Sequence, residues 1–234
     1  MPKAARPATP LPRWVPLAAV VGVGLATQIF VRYWSQVDPF FASGSFYWGT
    51  MTVRAGILVG AIVLAIPIAG GLRNAAVSFG LGLPHVDRRE ALWTLGLVVL
   101  GTAGAILVLQ TQSYRDAYAT VRVGDFGEKL TRWALFTLST SLPWELFHRG
   151  FLLHGFKGAL DRLQLPAGAA AIIAIAFVTC FESLYHLIKP PEEAIAFIVG
   201  SPVLSYLAIR HRSLWIPLAG HLWIEGLWFA FAWF

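Results

Sequence analysis

The chain has 234 residues, of which 57% are hydrophobic and 13% are charged, and its formal net charge is +6. A soluble core of this size cannot bury so much apolar surface, which excludes an ordinary soluble protein. The Lys and Arg residues are scattered through short polar segments and form no basic stripe with interleaved aromatic residues, so we expect no nucleic-acid partner. The composition predicts an integral membrane protein in contact with membrane lipid.

Long apolar segments recur along the chain, and they favour membrane-spanning helices over the alternating pattern of a β-barrel. The predicted fold class is all-α, a polytopic transmembrane helical bundle of about seven helices, in a range of roughly six to eight. The predicted spans cover residues 14–34, 51–71, 92–109, 130–156, 167–188, 194–209 and 213–234.

The N-terminal residues 1–13 are Pro-rich and basic, and we predict a disordered segment ahead of a single transmembrane domain at 14–234. A basic start and an apolar run also describe a signal peptide. The length of the run and the lack of a clear cleavage site favour an uncleaved anchor. The distribution of Lys and Arg favours a cytoplasmic N-terminus and, with seven spans, an external C-terminus.

Two smaller predictions concern local structure. The charged run at 87–90 is expected to lie in a solvated loop between the second and third spans. Cys180 is the only cysteine, which excludes an intrachain disulfide. Because Cys180 lies within a predicted span, we expect it to be a buried small hydrophobic residue.

A carboxylate and a guanidinium stand four residues apart in the otherwise apolar fourth span, at Glu145 and Arg149. This spacing puts both side chains on one face of a helix. Ionisable groups at membrane depth are costly, usually face the bundle interior and usually serve a function. Pro143 just before them is expected to kink or break the helix, with Ser139, Thr140 and Ser141 satisfying the freed carbonyls.

Polar pairs at the same four-residue spacing occur on three of the last four spans. One such pair is more often structural glue between helices than a site. Three pairs together suggest either general base catalysis on water or a site for a divalent metal such as zinc. The pairs are Glu145 with Arg149, Glu182 with His186, and His221 with Glu225.

These residues resemble the motifs of the CPBP family (CAAX protease and bacteriocin-processing), whose members are intramembrane peptidases. The first motif, Glu-Glu-x-x-x-Arg followed by Gly-Phe-Leu-Leu, is similar to residues 145–153. The second motif ends in a His, which matches His186. The third, a His after a Ser-Leu-Trp stretch, matches His221 after residues 213–215. The resemblance covers about residues 130–225.

Three positions depart from the family pattern. Trp144 stands where the first Glu of the first motif would be, Glu182 stands where the second motif has Phe, and Glu225 replaces the Asn or Asp of the third motif. A subgroup with a single Glu in the first motif carries His-x-x-Lys-Pro-x-x-Glu, to which residues 186–193 are similar. The subgroup pattern puts Glu193 in its last position.

The resemblance implies hydrolysis of a peptide bond, with Glu145 or Glu182 as the base. It implies that His186 and His221 hold water or a metal, with Glu145, His186 and His221 as the candidate ligands. Glu225 would orient His221, while Arg149 would pair with Glu145 or stabilise the oxyanion. On straight helices, however, Glu145, His186 and His221 would lie at different depths.

The predicted function is therefore an intramembrane endopeptidase in a bacterial inner (plasma) membrane. Its substrate would be a membrane-associated protein or peptide, which could be lipid-modified. The alternative is a non-catalytic family member that acts as a membrane scaffold, binding protein or immunity protein. A proton-coupled carrier is less favoured, because the sequence has no inverted repeat.

Overall fold

The computed structural model describes residues 12–37, 55–56, 58–63, 66, 76–77, 79–84, 86–117, 125–187 and 191–231. Residues 1–11 and most of the predicted second span lie outside this description. The described segments form helices and turns and contain no strand, which confirms the all-α fold class.

Seven helical elements of the described chain have continuous bounds, and residues 55–56, 58–63 and 76–77 are also helical. We number them α1 (Val15–Val37), α2 (Arg88–Leu109), α3 (Gln112–Ala117), α4 (126–162), α5 (Ala167–His186), α6 (Pro191–His211) and α7 (Trp215–Phe231). Among them, α2, α5 and α6 are long and apolar enough to cross a membrane. The total of about seven spans stays a prediction.

Helix α2 begins inside the charged run that the sequence assigned to a loop, so that prediction was wrong for residues 88–90. Asp87 and Glu90 form a reciprocal cap at the start of the helix. The Asp87 carboxylate accepts from the backbone N–H of Glu90 at 2.8 Å, and the Glu90 carboxylate accepts from the backbone N–H of Asp87 at 3.4 Å. The charges in this run therefore start a helix.

Helix α4 stays helical through Pro143 without the predicted break, and the predicted kink stays a prediction. Ser141 and Leu142 keep right-handed helical dihedral angles. The hydrogen bonding widens instead to a π-helical pattern over Thr137–Ser141 and again over Leu146–His154. The Ser141 hydroxyl donates to Glu225 on α7 and not to a freed backbone carbonyl.

The core of the bundle lies where α4 meets α5 and α1. Large α4 side chains such as Phe147 and Leu152 have almost no exposed surface. They pack beside small residues, which let the helices approach closely. A Cβ on Gly24 of α1 would come within 2.7 Å of the Leu152 side chain. Cys180 on α5 is exposed and not buried as expected, because it lies on the outer face of that helix.

The turn between α6 and α7 is tied to residues 80–82, and this contact fixes the start of α7. The backbone N–H of Leu214 donates to the Gly80 carbonyl at 2.9 Å, and the Trp215 indole donates to the Leu81 carbonyl at 2.9 Å. Since α7 carries His221 and Glu225, this turn sets the position of two candidate site residues.

Candidate active site

Glu145 lies at the centre of the polar cluster and has no exposed surface. Its Oε1 accepts hydrogen bonds from Arg149 at 3.1 Å and from His221 Nδ1 at 2.6 Å. Its Oε2 is also buried but has no hydrogen-bond partner among the described residues. One oxygen of this carboxylate is therefore fixed, and the other remains available as an acceptor.

His221 bridges two carboxylates across α4 and α7. Its Nδ1 faces Glu145, and its Nε2 lies 3.2 Å from Oε1 of Glu225, one helical turn away on α7. Ser141 donates to the other oxygen of Glu225. With both glutamates ionised, only the doubly protonated imidazolium can donate from both nitrogens. Glu225 thus holds the orientation of His221 towards Glu145.

Glu182 on α5 is also fully buried, but both of its oxygens are occupied. Oε1 accepts from the Arg149 guanidinium and from the Trp144 indole, the latter at 2.7 Å. Oε2 accepts from the Ser201 hydroxyl on α6. Arg149 therefore joins Glu145 and Glu182, since its NH1 group donates to both carboxylates.

Two departures from the family motifs lie in direct contact. Trp144, in the position of the first Glu, donates its indole N–H to Glu182, in the position of the Phe. Relative to the family pattern, α4 carries an aromatic residue in place of a carboxylate, and α5 carries a carboxylate in place of an aromatic residue. The exchange keeps a carboxylate beside Arg149 although α4 lacks the first Glu.

His186 belongs to a separate arrangement. Its Nδ1 donates to the backbone carbonyl of Glu182 at 2.7 Å, and its Nε2 lies 3.7 Å from Glu193 at the start of α6. The Phe197 ring stacks on His186 with a centroid distance of 3.4 Å and meets His221 edge-on at 6.3 Å. The predicted difference in depth was wrong for Glu145 and His221, which are in contact.

The candidate ligand set Glu145, His186 and His221 does not fit a metal in this arrangement. Both nitrogens of His221 face carboxylates, and His186 stacks on Phe197 and faces Glu193. Across the described part of the chain, no group of three or more His, Cys, Asp or Glu side chains could hold a metal ion.

Sequence reasoning missed the roles of three polar residues of this cluster. Ser141 could have been found from its four-residue spacing to Glu145, and Gln28 from its position as a lone amide in an apolar span. Ser201 carries no such signal, because serines are common in membrane helices. His148, whose place beside the first motif indicates a packed or interfacial neutral residue, is completely buried.

The contacts of His148 extend the cluster to α1. Its Nδ1 donates to the Trp144 carbonyl at 3.0 Å, and its Nε2 lies 2.7 Å from the Gln28 amide nitrogen. Since a backbone carbonyl only accepts and an amide nitrogen only donates, these contacts require a neutral ring protonated on Nδ1. The ring also packs on the Trp144 indole at 4.0 Å.

Residues 127–227 match the family described as type II CAAX prenyl endopeptidase Rce1-like. The matched part contains Glu145, Arg149, Glu182, His186, His221 and Glu225. No curated protein and no solved structure matches the chain. The match supports an intramembrane endopeptidase in general, and together with the apolar helices it indicates an integral membrane protein. Over residues 127–227, the chain is therefore similar to the CAAX protease and bacteriocin-processing family of intramembrane peptidases.

Proposed function

We propose that the protein hydrolyses a peptide bond in a membrane-associated protein or peptide and that Glu145 is the general base. The observation that carries this proposal is the asymmetry of the Glu145 carboxylate. Oε1 is held by Arg149 and His221, while the buried Oε2 has no partner among the described residues. A carboxylate held by one oxygen can accept a proton from water with the other.

In the proposed reaction, Glu145 Oε2 takes a proton from a water molecule while the water oxygen attacks the scissile carbonyl carbon. The carbonyl π electrons move onto oxygen and form a tetrahedral oxyanion. When this intermediate collapses, the C–N bond breaks and the proton held by Glu145 passes to the leaving nitrogen. The products are a carboxylic acid and an amine, and Glu145 returns to its ionised form.

The neighbours of Glu145 have distinct roles in this mechanism. Arg149 balances the charge of the buried carboxylates, which would otherwise be costly to ionise at membrane depth. His221, held by Glu225, fixes Oε1 and leaves Oε2 facing the reactants. Glu182 is an anchor for Arg149 and not the base, because both of its oxygens already accept hydrogen bonds.

We propose a lipid-modified peptide as the first substrate to test, because the matching family is described as prenyl endopeptidases. A bacterial inner membrane is the proposed location. His186 and Glu193 are proposed to act at the edge of the same site. The side chain of Glu193 is 13% exposed, so it can contact a substrate that enters between the helices.

The test uses the full chain in liposomes with a quenched fluorogenic farnesylated peptide that ends in a CAAX sequence. Wild-type protein should cleave the peptide. Glu145→Gln should reduce turnover at least about 100-fold, since a positioned general base contributes that much or more. Glu128→Gln, an exposed glutamate at the start of the same helix, is the matched control and should keep the wild-type rate.

Turnover by a folded Glu145→Gln variant at the wild-type rate would contradict the proposed base. The non-catalytic scaffold predicts another pattern. A scaffold would cleave no peptide, would tolerate Glu145→Gln and would fail only when Arg149 is removed and the carboxylates lose their partner.

A further inference from the structure

A polar stripe runs along the inner face of α4 beyond the proposed catalytic residues. Its members follow one another at intervals of four residues, which places them along one side of the helix. They are Trp133, Thr137, Ser141, Glu145 and Arg149. The last three bind Glu225, His221 and Glu182, so this end of the stripe belongs to the catalytic cluster.

The other end of the stripe carries two buried hydrogen-bond donors without partners. Neither the Trp133 indole N–H nor the Thr137 hydroxyl bonds to any described residue. Among the described residues, the Thr179 hydroxyl on α5 is unpaired as well, while other Thr and Trp donors have partners. The Thr131 hydroxyl donates to the Gly127 carbonyl at 2.9 Å, and the Trp223 indole donates to Thr102 at 2.8 Å.

Unpaired buried donors are costly, so each one calls for an explanation. An indole N–H can only donate, and a ligand that satisfies it must therefore present an acceptor. Helix α7 faces this part of α4 with Gly226, directly after Glu225. A Cβ at Gly226 would lie 3.8 Å from the Trp133 indole nitrogen. Glycine at this position therefore keeps a methyl group away from the surroundings of the indole nitrogen.

We propose that Trp133 and Thr137 form a subsite that binds main-chain carbonyl oxygens of an extended peptide substrate. The proposal rests on the proposed peptidase function and deepens it. Thr137 and Trp133 precede Glu145 by eight and twelve residues, or about 12 and 18 Å along a helix. An extended peptide rises about 3.3 Å per residue, so the subsite would hold carbonyls about four to five residues from the scissile bond.

Two substitutions remove the donors, and of these only Thr137→Val keeps the shape of the side chain. Trp133→Phe removes the indole N–H, and Thr137→Val removes the hydroxyl. Each should raise KM for the farnesylated peptide about 2- to 10-fold, the loss expected for one hydrogen bond. Thr137→Val should not lower thermal stability, because in the protein without substrate the hydroxyl has no described partner to lose. The turnover number should stay near the wild-type value, since the substitutions are remote from Glu145.

A third substitution adds a methyl group beside the Trp133 indole and leaves both donors in place. Gly226→Ala puts a methyl group in ordinary contact with the Trp133 indole and should raise KM without loss of stability. Gly200→Ala is the matched control, because a Cβ at this helical glycine meets nothing within 4 Å. It should leave KM unchanged.

The outcomes separate this subsite from the function on which it rests. If wild-type protein cleaves the peptide and all three variants keep its KM, the donors hold only buried water and the subsite is wrong. A loss of thermal stability in Thr137→Val would also overturn it, because the hydroxyl would then have a structural partner. If wild-type protein cleaves no peptide, the proposed function and the subsite fall together.

Discussion

Two buried glutamates lie on either side of Arg149, and they differ in how completely their oxygens are used. Glu182 accepts from Arg149, Trp144 and Ser201, which occupies both of its oxygens. Glu145 accepts from Arg149 and His221 through one oxygen, and its other oxygen has no described partner. A saturated carboxylate fixes its neighbours, whereas a half-used one can still accept a proton. On this difference we assign Glu182 as the anchor of Arg149 and propose Glu145 as the base.

The largest expected effect is the loss of stability when Arg149, the cation that the two glutamates share, is removed. Arg149→Met should destabilise the protein by about 3 to 5 kcal/mol, because it leaves two buried carboxylates without their common partner. Unfolding in mixed micelles, followed by circular dichroism, measures this loss.

The matched control for the shared cation is Arg210→Met. Arg210 is 55% exposed and pairs with Glu90 at 2.7 Å, so it should contribute about 1 kcal/mol or less. Equal losses for the two variants would mean that Arg149 does not hold the buried carboxylates together.

The second-largest expected effect is on the free energy of unfolding when each of the two glutamates is replaced by glutamine. Glu182→Gln should cost about 1 to 3 kcal/mol, since an amide cannot accept all the hydrogen bonds of the carboxylate. Glu145→Gln should cost less, because only one of its oxygens is engaged. A larger loss in Glu145→Gln than in Glu182→Gln, measured by the same unfolding curve, would reverse the assignment of the anchor.

A smaller effect is expected at Trp144, which supplies one hydrogen bond to Glu182. Trp144→Phe keeps an aromatic ring against His148 and Tyr185, and it removes the N–H donor together with one ring of the indole. Hydrogen bonds between membrane helices average about 0.6 kcal/mol, so the lost donor should contribute a loss of that order. A loss above about 2 kcal/mol would show that the ring packing, and not the hydrogen bond, holds this contact.

The smallest effect concerns Gln28 on α1, outside the part of the chain that matches the family. Gln28→Leu removes the donor to His148 Nε2 and should cost little stability, but it should change the tautomer balance of His148. Nitrogen-15 NMR of histidine-labelled protein measures this balance, and Gln110→Leu at an exposed position is the control. An unchanged His148 signal would contradict the link between α1 and the site.

The sequence predicted those parts of the site that depend on spacing along one helix. The Glu145 and Arg149 pair and the His221 and Glu225 pair both follow from the four-residue rule, and both form. The all-α class followed from hydropathy alone. These predictions needed no knowledge of how the helices are rotated against one another.

Contacts between helices could not be predicted in the same way. Arg149 meets Glu182 across 33 residues of sequence, and Gln28 meets His148 across 120. Such contacts depend on helix rotation and on the widened turns of α4, which carry no simple sequence signal. The break expected at Pro143 was wrong for this reason, because π-helical hydrogen bonding next to the proline keeps the helix continuous.

The most direct test of the central claim compares turnover of the farnesylated peptide by Glu145→Gln and Glu182→Gln, expressed per folded molecule in the same liposomes. If Glu145 is the base and Glu182 the anchor, Glu145→Gln loses at least about 100-fold in turnover, while folded Glu182→Gln keeps most of the wild-type rate. The opposite result, with activity retained in Glu145→Gln and lost in folded Glu182→Gln, would contradict the account and assign the base to Glu182.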